Sequence, residues 1–362
     1  MIDDPELLFA EIPFKLPISE RLAINAVADL NPQRVLCTTS GRGQCAIHLA
    51  RQNPESAVYC HFIESFAASE TAELATTLEA GVNVLCSADL PEEPFDMCVL
   101  PMARSGESEL SRDLLQQAYH RLEIHGTLIV TIDHPQDTWF HHEIEKLGKN
   151  LSRMQKRKGM VYKLRKINPL KKLRDFSCDF AFRDGETLVK AMSLPGVFSH
   201  RHLDLGARAL IESMQVNQGD HVLDIGCGSG AVGLAAGLRA KDVTVHFLDS
   251  NARALECALA GSELNGLKLV EATHAHDGSI GSEDNELQGT FDLALGNPPY
   301  YSHFQIAEIF LQSARRALKP GGRVLIVAKQ TDWLKARMEQ LFDDTSIQEK
   351  RGYFVVTGRQ RS

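Results

Sequence analysis

The residues best suited to chemistry are Asn297, Pro298, Pro299 and Tyr300, which follow directly on the apolar run FDLALG at 291 to 296. Proline fixes its own φ and disfavours helix for the residue before it, so Asn297 and Pro298 should be held extended just beyond a buried strand. In that geometry the Asn297 side-chain oxygen and the Pro298 carbonyl can accept hydrogen bonds from one amino group, and Tyr300 can stack on the planar ring that carries it. The chemistry this suits is attack by a conjugated nitrogen, either an exocyclic base amine or a glutamine amide. Two prolines acting only to end a strand are the plainer alternative, and what lies upstream decides between them.

Upstream is VLDIGCGSGAVGLA, beginning at Val222. A strand stops at Asp224, and Gly226, Gly228 and Gly230 permit a tight turn and a close ligand approach ahead of a helix whose N-terminus faces that ligand. A glycine-rich turn between strand and helix suits several nucleotides. The G-x-G-x-G spacing, with Asp224 two residues before the first glycine, resembles class I S-adenosylmethionine (SAM) methyltransferases more than the G-x-G-x-x-G dinucleotide fold. That resemblance implies that Asp224, Gly226, Gly228 and Gly230 back the methionine end of the cofactor. It implies that Asp249, ending the second strand, holds the ribose hydroxyls, that Asp277, after the third, meets the adenine amine, and that Asn297 closes the site. A sulfonium methyl is already a strong electrophile, so the protein supplies position and preorganised dipoles rather than a nucleophile. No catalytic triad is needed and none is found.

These motifs sit in a chain that repeats itself. RVLCTTSGRGQCAIHLA at 34 to 50 matches HVLDIGCGSGAVGLAAG at 221 to 237, and HFIES at 61 to 65 matches HFLDS at 246 to 250. FDMCVLPMAR at 95 to 104 then matches FDLALGNPPY at 291 to 300, and AYHRLEIHGTLIVTID at 118 to 133 matches ARRALKPGGRVLIVAK at 314 to 329. Four segments in one order indicate two copies of a single α/β domain. Each copy alternates short apolar runs with helix-period segments, as a parallel sheet with crossover helices requires. The fold class is therefore α/β, two tandem Rossmann-like domains, expected at 1–172 and 173–362. In the second copy strands are expected at HVLDIG, VTVHFLD, LKLVEAT, FDLALGN and RVLIVAK, with a last pair near IQEKR and YFVVTGR. Helices are expected at 204–215, 231–240, 251–264, 304–318 and 331–342, and the segment between the copies reads as a turn at Asp184-Gly185, an extended piece and a Pro-Gly break.

Composition bounds the possibilities. A chain of 362 residues, 43% hydrophobic and 24% charged, suits two soluble domains. The eight cysteines are scattered without a CxxC pair, which reads as reduced core thiols and a cytoplasmic protein. No apolar run approaches the ~18 residues that span a bilayer, so no membrane partner is expected. The His141-His142 and His274-x-His276 pairs lack a completing ligand set, so no metal is expected. Net charge is −8, yet residues 146 to 174 carry twelve Lys or Arg and no acid. Such a stripe suits a phosphate backbone, and Lys156, Arg157, Lys158, Lys163, Arg165 and Lys166 are the candidate RNA contacts. A solvated basic hairpin is the bland alternative.

With LPGVFSHRHLDLGARAL at 194 to 210, the glycine loop, FDLALGNPPY and ARRALKPGGRVLIVAK together, the chain resembles the ribosomal RNA guanine-N2 methyltransferases. The likeness spans nearly the whole length and includes the duplication. It implies methyl transfer from SAM to the 2-amino group of a guanine in ribosomal RNA or a ribosomal subunit, with the base turned out of its stack. A monomer is expected, since nothing requires a dimer. The family turn continues Phe-His after the prolines, whereas here Tyr300-Tyr301 follow, with His303 beyond. Phe198, His200 and Arg201 are candidates to line the cofactor or RNA entrance, the alternative being a hinge between domains.

The first copy lacks this chemistry. Cys37 stands for Asp224, Thr39 for Gly226, and Pro101-Met102-Ala103-Arg104 for the Asn-Pro-Pro-Tyr turn, although Glu64 stands where Asp249 does. Its expected role is RNA binding and support for folding. Two other readings remain open: methylation of adenine N6 or a protein glutamine through the same turn, and a non-catalytic, SAM-responsive RNA-binding factor.

Overall fold

The architecture comes from a computed structural model, which describes residue 9 and residues 15–280, 287–299 and 304–362. The chain divides into two compact units between Phe176 and Ser177.

In the first unit the described elements run α1 (Ile18–Val27), β1 (Arg34–Cys37), α2 (Gln44–Gln52), β2 (Ala57–Phe62), α3 (Ser65–Thr77), β3 (Val82–Cys86) and β4 (Phe95–Met102). They continue with α4 (Ser108–Arg121), β5 (Leu122–Ile132), α5 (Trp139–Glu145), β6 (Leu151–Lys156) and β7 (Gly159–Arg165). Its sheet has the order β3-β2-β1-β4-β5-β7-β6.

The second unit opens with a separate hairpin, β8 (Cys178–Asp184) and β9 (Thr187–Ser193). The turn expected at Asp184-Gly185 joins its strands, with Gly185 at φ 59°. There follow α6 (Leu205–Ser213), β10 (His221–Ile225), α7 (Ala231–Arg239), β11 (Thr244–Asp249), α8 (Ala252–Leu264), β12 (Val270–His274) and β13 (Phe291–Gly296). Last come α9 (Gln305–Ala317), β14 (Leu318–Ala328), α10 (Asp332–Leu341), β15 (Asp343–Lys350) and β16 (Tyr353–Arg359). The order β12-β11-β10-β13-β14-β16-β15 repeats that of the first unit strand for strand. The expected elements are found within a few residues; β14 differs most, starting at Leu318 rather than Arg323. Leu318 already pairs with Phe291 across a bulge, so the Pro-Gly segment belongs to the strand.

Side-chain alternation explains the layers. Val222 joins the core beneath α6, α7 and α8, while its neighbour Leu223 joins the core beneath α9 and α10. Central strands are therefore apolar on both faces, as parallel strands covered by helices must be. The chain leaves β10 toward β11 and β12, then returns to β13 on β10's other side. The carboxyl ends of β10 and β13 flank this reversal, where open α/β sheets bind ligands.

Candidate active site

Two loops meet at that reversal because Ile225 and Gly296 are register partners. One is the glycine loop, the other the Asn297 turn. The ring of Phe310, on α9, packs beneath both. A methyl group added to Gly226 would come within 2.3 Å of Phe310 Cζ, and one added to Gly296 within 2.8 Å of Phe310 Cδ2. Glycine is thus required by space at both points, a role for Phe310 that no sequence motif signals.

The loop glycines are required by conformation as well. Gly226, Gly228 and Gly230 have φ of 65°, 54° and 75°, in the left-handed region that side chains disfavour. A Cβ at Gly230 would meet Ala258 at 2.7 Å, whereas one at Gly228 would meet only the Phe198 carbonyl, at 3.9 Å. The surface over Gly228 is an open backbone cradle bordered by the Phe198 segment. That segment is itself unusual: Ser199 and Arg201 have φ of 59° and 78°, and Phe198 is 66% exposed. Ser193 Oγ holds it, accepting from the Arg201 amide at 2.9 Å and bonding His200 Nδ1 at 2.8 Å.

Two carboxylates brace the loop. Asp224 is buried and its Oδ2 accepts from the Gly233 amide of α7 at 2.8 Å. Loss of hydration pushes its carboxyl up to about 7, a rise that the Gly233 bond opposes and the neighbouring Asp249 reinforces. Asp249 accepts from Gly228 N through Oδ2 and from Asn251 N through Oδ1, each at 2.9 Å. A carboxylate oxygen has lone pairs beyond one bond, so Asp249 retains acceptor capacity toward hydroxyls.

On the other loop, Pro298 is buried and Asn297 half-buried. Asn297 Nδ2 donates to Asp204 Oδ2 at 2.9 Å, and the same oxygen caps α6 by accepting from Ala207 N at 3.0 Å. Tyr300, Tyr301 and His303 lie outside the described residues. Asp277 stands apart from these contacts: it is exposed, and its Oδ1 accepts from Ser279 N at 2.9 Å and Ser279 Oγ at 2.6 Å. Those two bonds hold its carboxyl below the usual range.

The basic stretch forms the hairpin of β6 and β7. Lys156, Arg157 and Lys158 are exposed at its turn and Arg165 is exposed on β7. Lys166, expected among the RNA contacts, is buried instead. It is only 4% exposed, and its ammonium donates to the His120 and Leu122 carbonyls at 2.9 and 2.6 Å, so it pins backbone rather than facing a ligand. Lys163 is half-buried and donates to the Ala26 carbonyl at 2.9 Å.

At the opposite end of β10 from the glycine loop, His221, His246 and Glu271 bring nitrogen and oxygen atoms within 4.8 Å of one another. Both His246 nitrogens are engaged, Nδ1 with Glu271 Oε2 at 3.1 Å and Nε2 with Thr273 Oγ1 at 2.8 Å. The cluster is a hydrogen-bonded network in which a cation would have to displace a partner. Among the described residues no helix is long and apolar enough to cross a membrane.

Comparison with known proteins fits this geometry. The family model of the methyltransferase small domain matches residues 189–358, which contain both loops. The uncharacterized protein YbxB of Bacillus subtilis is 31% identical over 170 residues, covering 46% of this chain and 83% of that protein. The chain belongs to the methyltransferase small domain family. Ribosomal RNA large subunit methyltransferase G of Shewanella amazonensis is 31% identical over 172 residues, covering 46% of this chain and 44% of that one. Small subunit methyltransferase C of Hahella chejuensis is 33% identical over 158 residues, covering 41% and 44%. The chain thus spans less than half the length of these two relatives. A solved structure, the T. thermophilus 16S rRNA N2 G1207 methyltransferase (RsmC) with AdoMet and guanosine, matches with TM-score 0.77 and 20% identity. It covers 96% of this chain and 94% of its own, and it bears out the expected class I fold of two Rossmann-like domains.

Proposed function

We propose that this protein transfers the methyl group of SAM to the exocyclic N2 amine of a guanine in ribosomal RNA. The observation that carries the reading is the register of β10 against β13, which sets the Asn297 turn beside the glycine loop. An amine acceptor and a nucleotide cradle then share one sheet edge.

The cradle suits SAM. Gly228 leaves open backbone where a side chain would intrude, and Asp249 stands at the end of β11. Asp224, Gly226, Gly228 and Gly230 would back the methionine portion, Asp249 the ribose hydroxyls and Asp277 the adenine. When bound, SAM supplies an electrophilic methyl on a sulfonium, so the chain need provide neither nucleophile nor strong base. Asn297 Oδ1 and the Pro298 carbonyl accept the two N–H bonds of the guanine amine and so aim its lone pair. Pro299 stiffens the turn, and Tyr300 offers the stacking face. Once methylated, the amine would carry one proton in excess, and with Asn297 Oδ1 and the Pro298 carbonyl acting only as acceptors that proton would pass to water.

The curated relatives named for ribosomal RNA methylation support the substrate class. The first unit serves as an RNA platform through Lys156, Arg157, Lys158 and Arg165, and the protein works in the cytoplasm as a monomer. Residues 1–172 form this degenerate copy and 173–362 the catalytic domain.

The test is to incubate the purified protein with methyl-labelled SAM and unmodified small subunits, large subunits or their extracted RNAs, then digest to nucleosides. Label in N2-methylguanosine is expected, and the substrate that carries it names the subunit. Label in methyladenosine would keep the turn's role and overturn the base; label only in protein, or none, would overturn the reading.

A further inference from the structure

We infer that Asp204 is a positioning residue that sets the orientation of the Asn297 amide. This inference rests on the proposed role of Asn297. An asparagine has two chemically opposite ends, and only the oxygen can accept a substrate amine. With the amide flipped, Asn297 would present N–H groups to N–H groups. The turn needs something that distinguishes the two ends.

Asp204 does so because an ionised carboxylate can only accept hydrogen bonds. Its Oδ2 lies 2.9 Å from Asn297 Nδ2, so the NH2 end must face Asp204 and Oδ1 must face away from it. Asp204 is in turn fixed by α6, whose Ala207 amide donates to the same oxygen at 3.0 Å. The preference thus passes from the start of a helix to a loop 93 residues further along the chain.

The first unit supplies an internal control. At the start of α1, Pro17 occupies the N-cap position that Asp204 occupies on α6. In the matched turn Pro101 stands in place of Asn297. Both members of the pair are missing from the copy that lacks the acceptor turn, whereas a purely structural device is kept: Asp96 accepts from Arg34 N at 3.1 Å as Asp292 accepts from His221 N at 3.0 Å. Were Asp204 merely a helix cap, nothing would tie its loss to that of the amide.

The experiment separates capping from orientation. Serine caps helices as well as aspartate but is too short to reach Asn297. Asp204→Ser should therefore lower kcat about 10- to 100-fold, the range expected when a reacting group is misplaced. KM for SAM and the melting temperature should stay near those of the parent protein. Asp204→Asn, whose oxygen can still accept from both donors, should restore most of the rate. Within an Asn297→Ala background, Asp204→Ser should cost nothing further, since the two act as a unit. In the unsubstituted protein, one Asn297 side-chain amide proton should exchange with water more slowly than the other. Parental kcat in Asp204→Ser, with Asn297→Ala inactive, would overturn this inference and leave the proposed function intact. An active Asn297→Ala would instead overturn the role of the turn. Parallel losses of kcat, SAM affinity and stability without rescue by Asp204→Asn, or equal exchange of the two amide protons, would reduce Asp204 to a structural cap.

Discussion

The two units share a strand order but treat the same loop in opposite ways. In the second unit, Gly228 N reaches across to Asp249 on the neighbouring strand and the backbone above it is left open. In the first, the matched Gly41 N donates to Thr39 Oγ1 at 2.9 Å, and Gly43 N donates to the same hydroxyl at 2.9 Å. Glu20, fully buried, completes the closure by accepting from Thr39 Oγ1 at 2.5 Å, Ser40 N at 3.0 Å and Cys45 N at 2.9 Å. Arg42 pairs with Glu70 beside the loop. The space above the loop is filled as well: a methyl group added to Gly41 would come within 2.5 Å of Gln44 Oε1 and 2.9 Å of Pro17 Cγ, where one on Gly228 would meet only a carbonyl at 3.9 Å. A duplicated domain can thus keep its scaffold and close one copy of a loop upon itself, because buried amides must be satisfied by something.

Counting bound cofactors separates the two loops most sharply. One SAM per chain is expected by calorimetry. Asp249→Ala should weaken it about 10- to 100-fold, the loss typical of hydrogen bonds to a charged group, while Glu64→Ala should change nothing. A second equivalent of SAM lost on removing Glu64 would mean that the first loop is open after all.

A second effect, on stability rather than binding, tests the electrostatics of the intact loop. Asp224 binds a proton in the folded state, with a pKa of about 7, that it has released in the unfolded chain, whose ordinary value is 3.8. Its contribution should therefore make stability fall as pH rises between these values, by up to roughly 4 kcal/mol. Asp224→Asn, which can still accept from Gly233, should flatten that slope and be the more stable form above pH ~7. The first copy has Cys37 at this position and no such dependence is expected from it. Parallel melting curves for parent and variant across pH ~4 to 8 would remove Asp224 as the source.

The weakest expected effect concerns the basic hairpin that sets the first unit apart. Reversing Lys156, Arg157 and Lys158 to Glu should lower RNA affinity about 10-fold near 0.1 M salt and reduce the salt slope by a few units. Lys166→Glu should instead lower the melting temperature, since it would bury an acid against the His120 and Leu122 carbonyls. Unchanged binding in the triple variant would reduce the hairpin to a solvated surface.

How much of this could be read from residue order follows from the range over which each feature acts. The glycine loop and the Asn297 turn are local: positive φ at three glycines and fixed φ at two prolines are properties of those residues wherever they occur. The repeat was legible because matched segments recur in order. Lys166 misled because composition counts charges without saying which face of β7's continuation they take, and two carbonyls drew this one inward. Asp204, Phe310 and Glu20 carried no signal, since each acts on residues far away in sequence and looks locally like a cap, a core aromatic or a surface acid.

Residue order thus accounts for the duplicated α/β scaffold, the glycine loop and the Asn-Pro-Pro turn, all of which rest on backbone preferences and apolar periodicity. The pairing of Ile225 with Gly296, the contact of Asp204 with Asn297 and the closure of the first loop by Glu20 are not legible in that order. The physical reason is that hydrogen bonds and packing join groups distant along the chain, and those partners exist only once the strands have assembled.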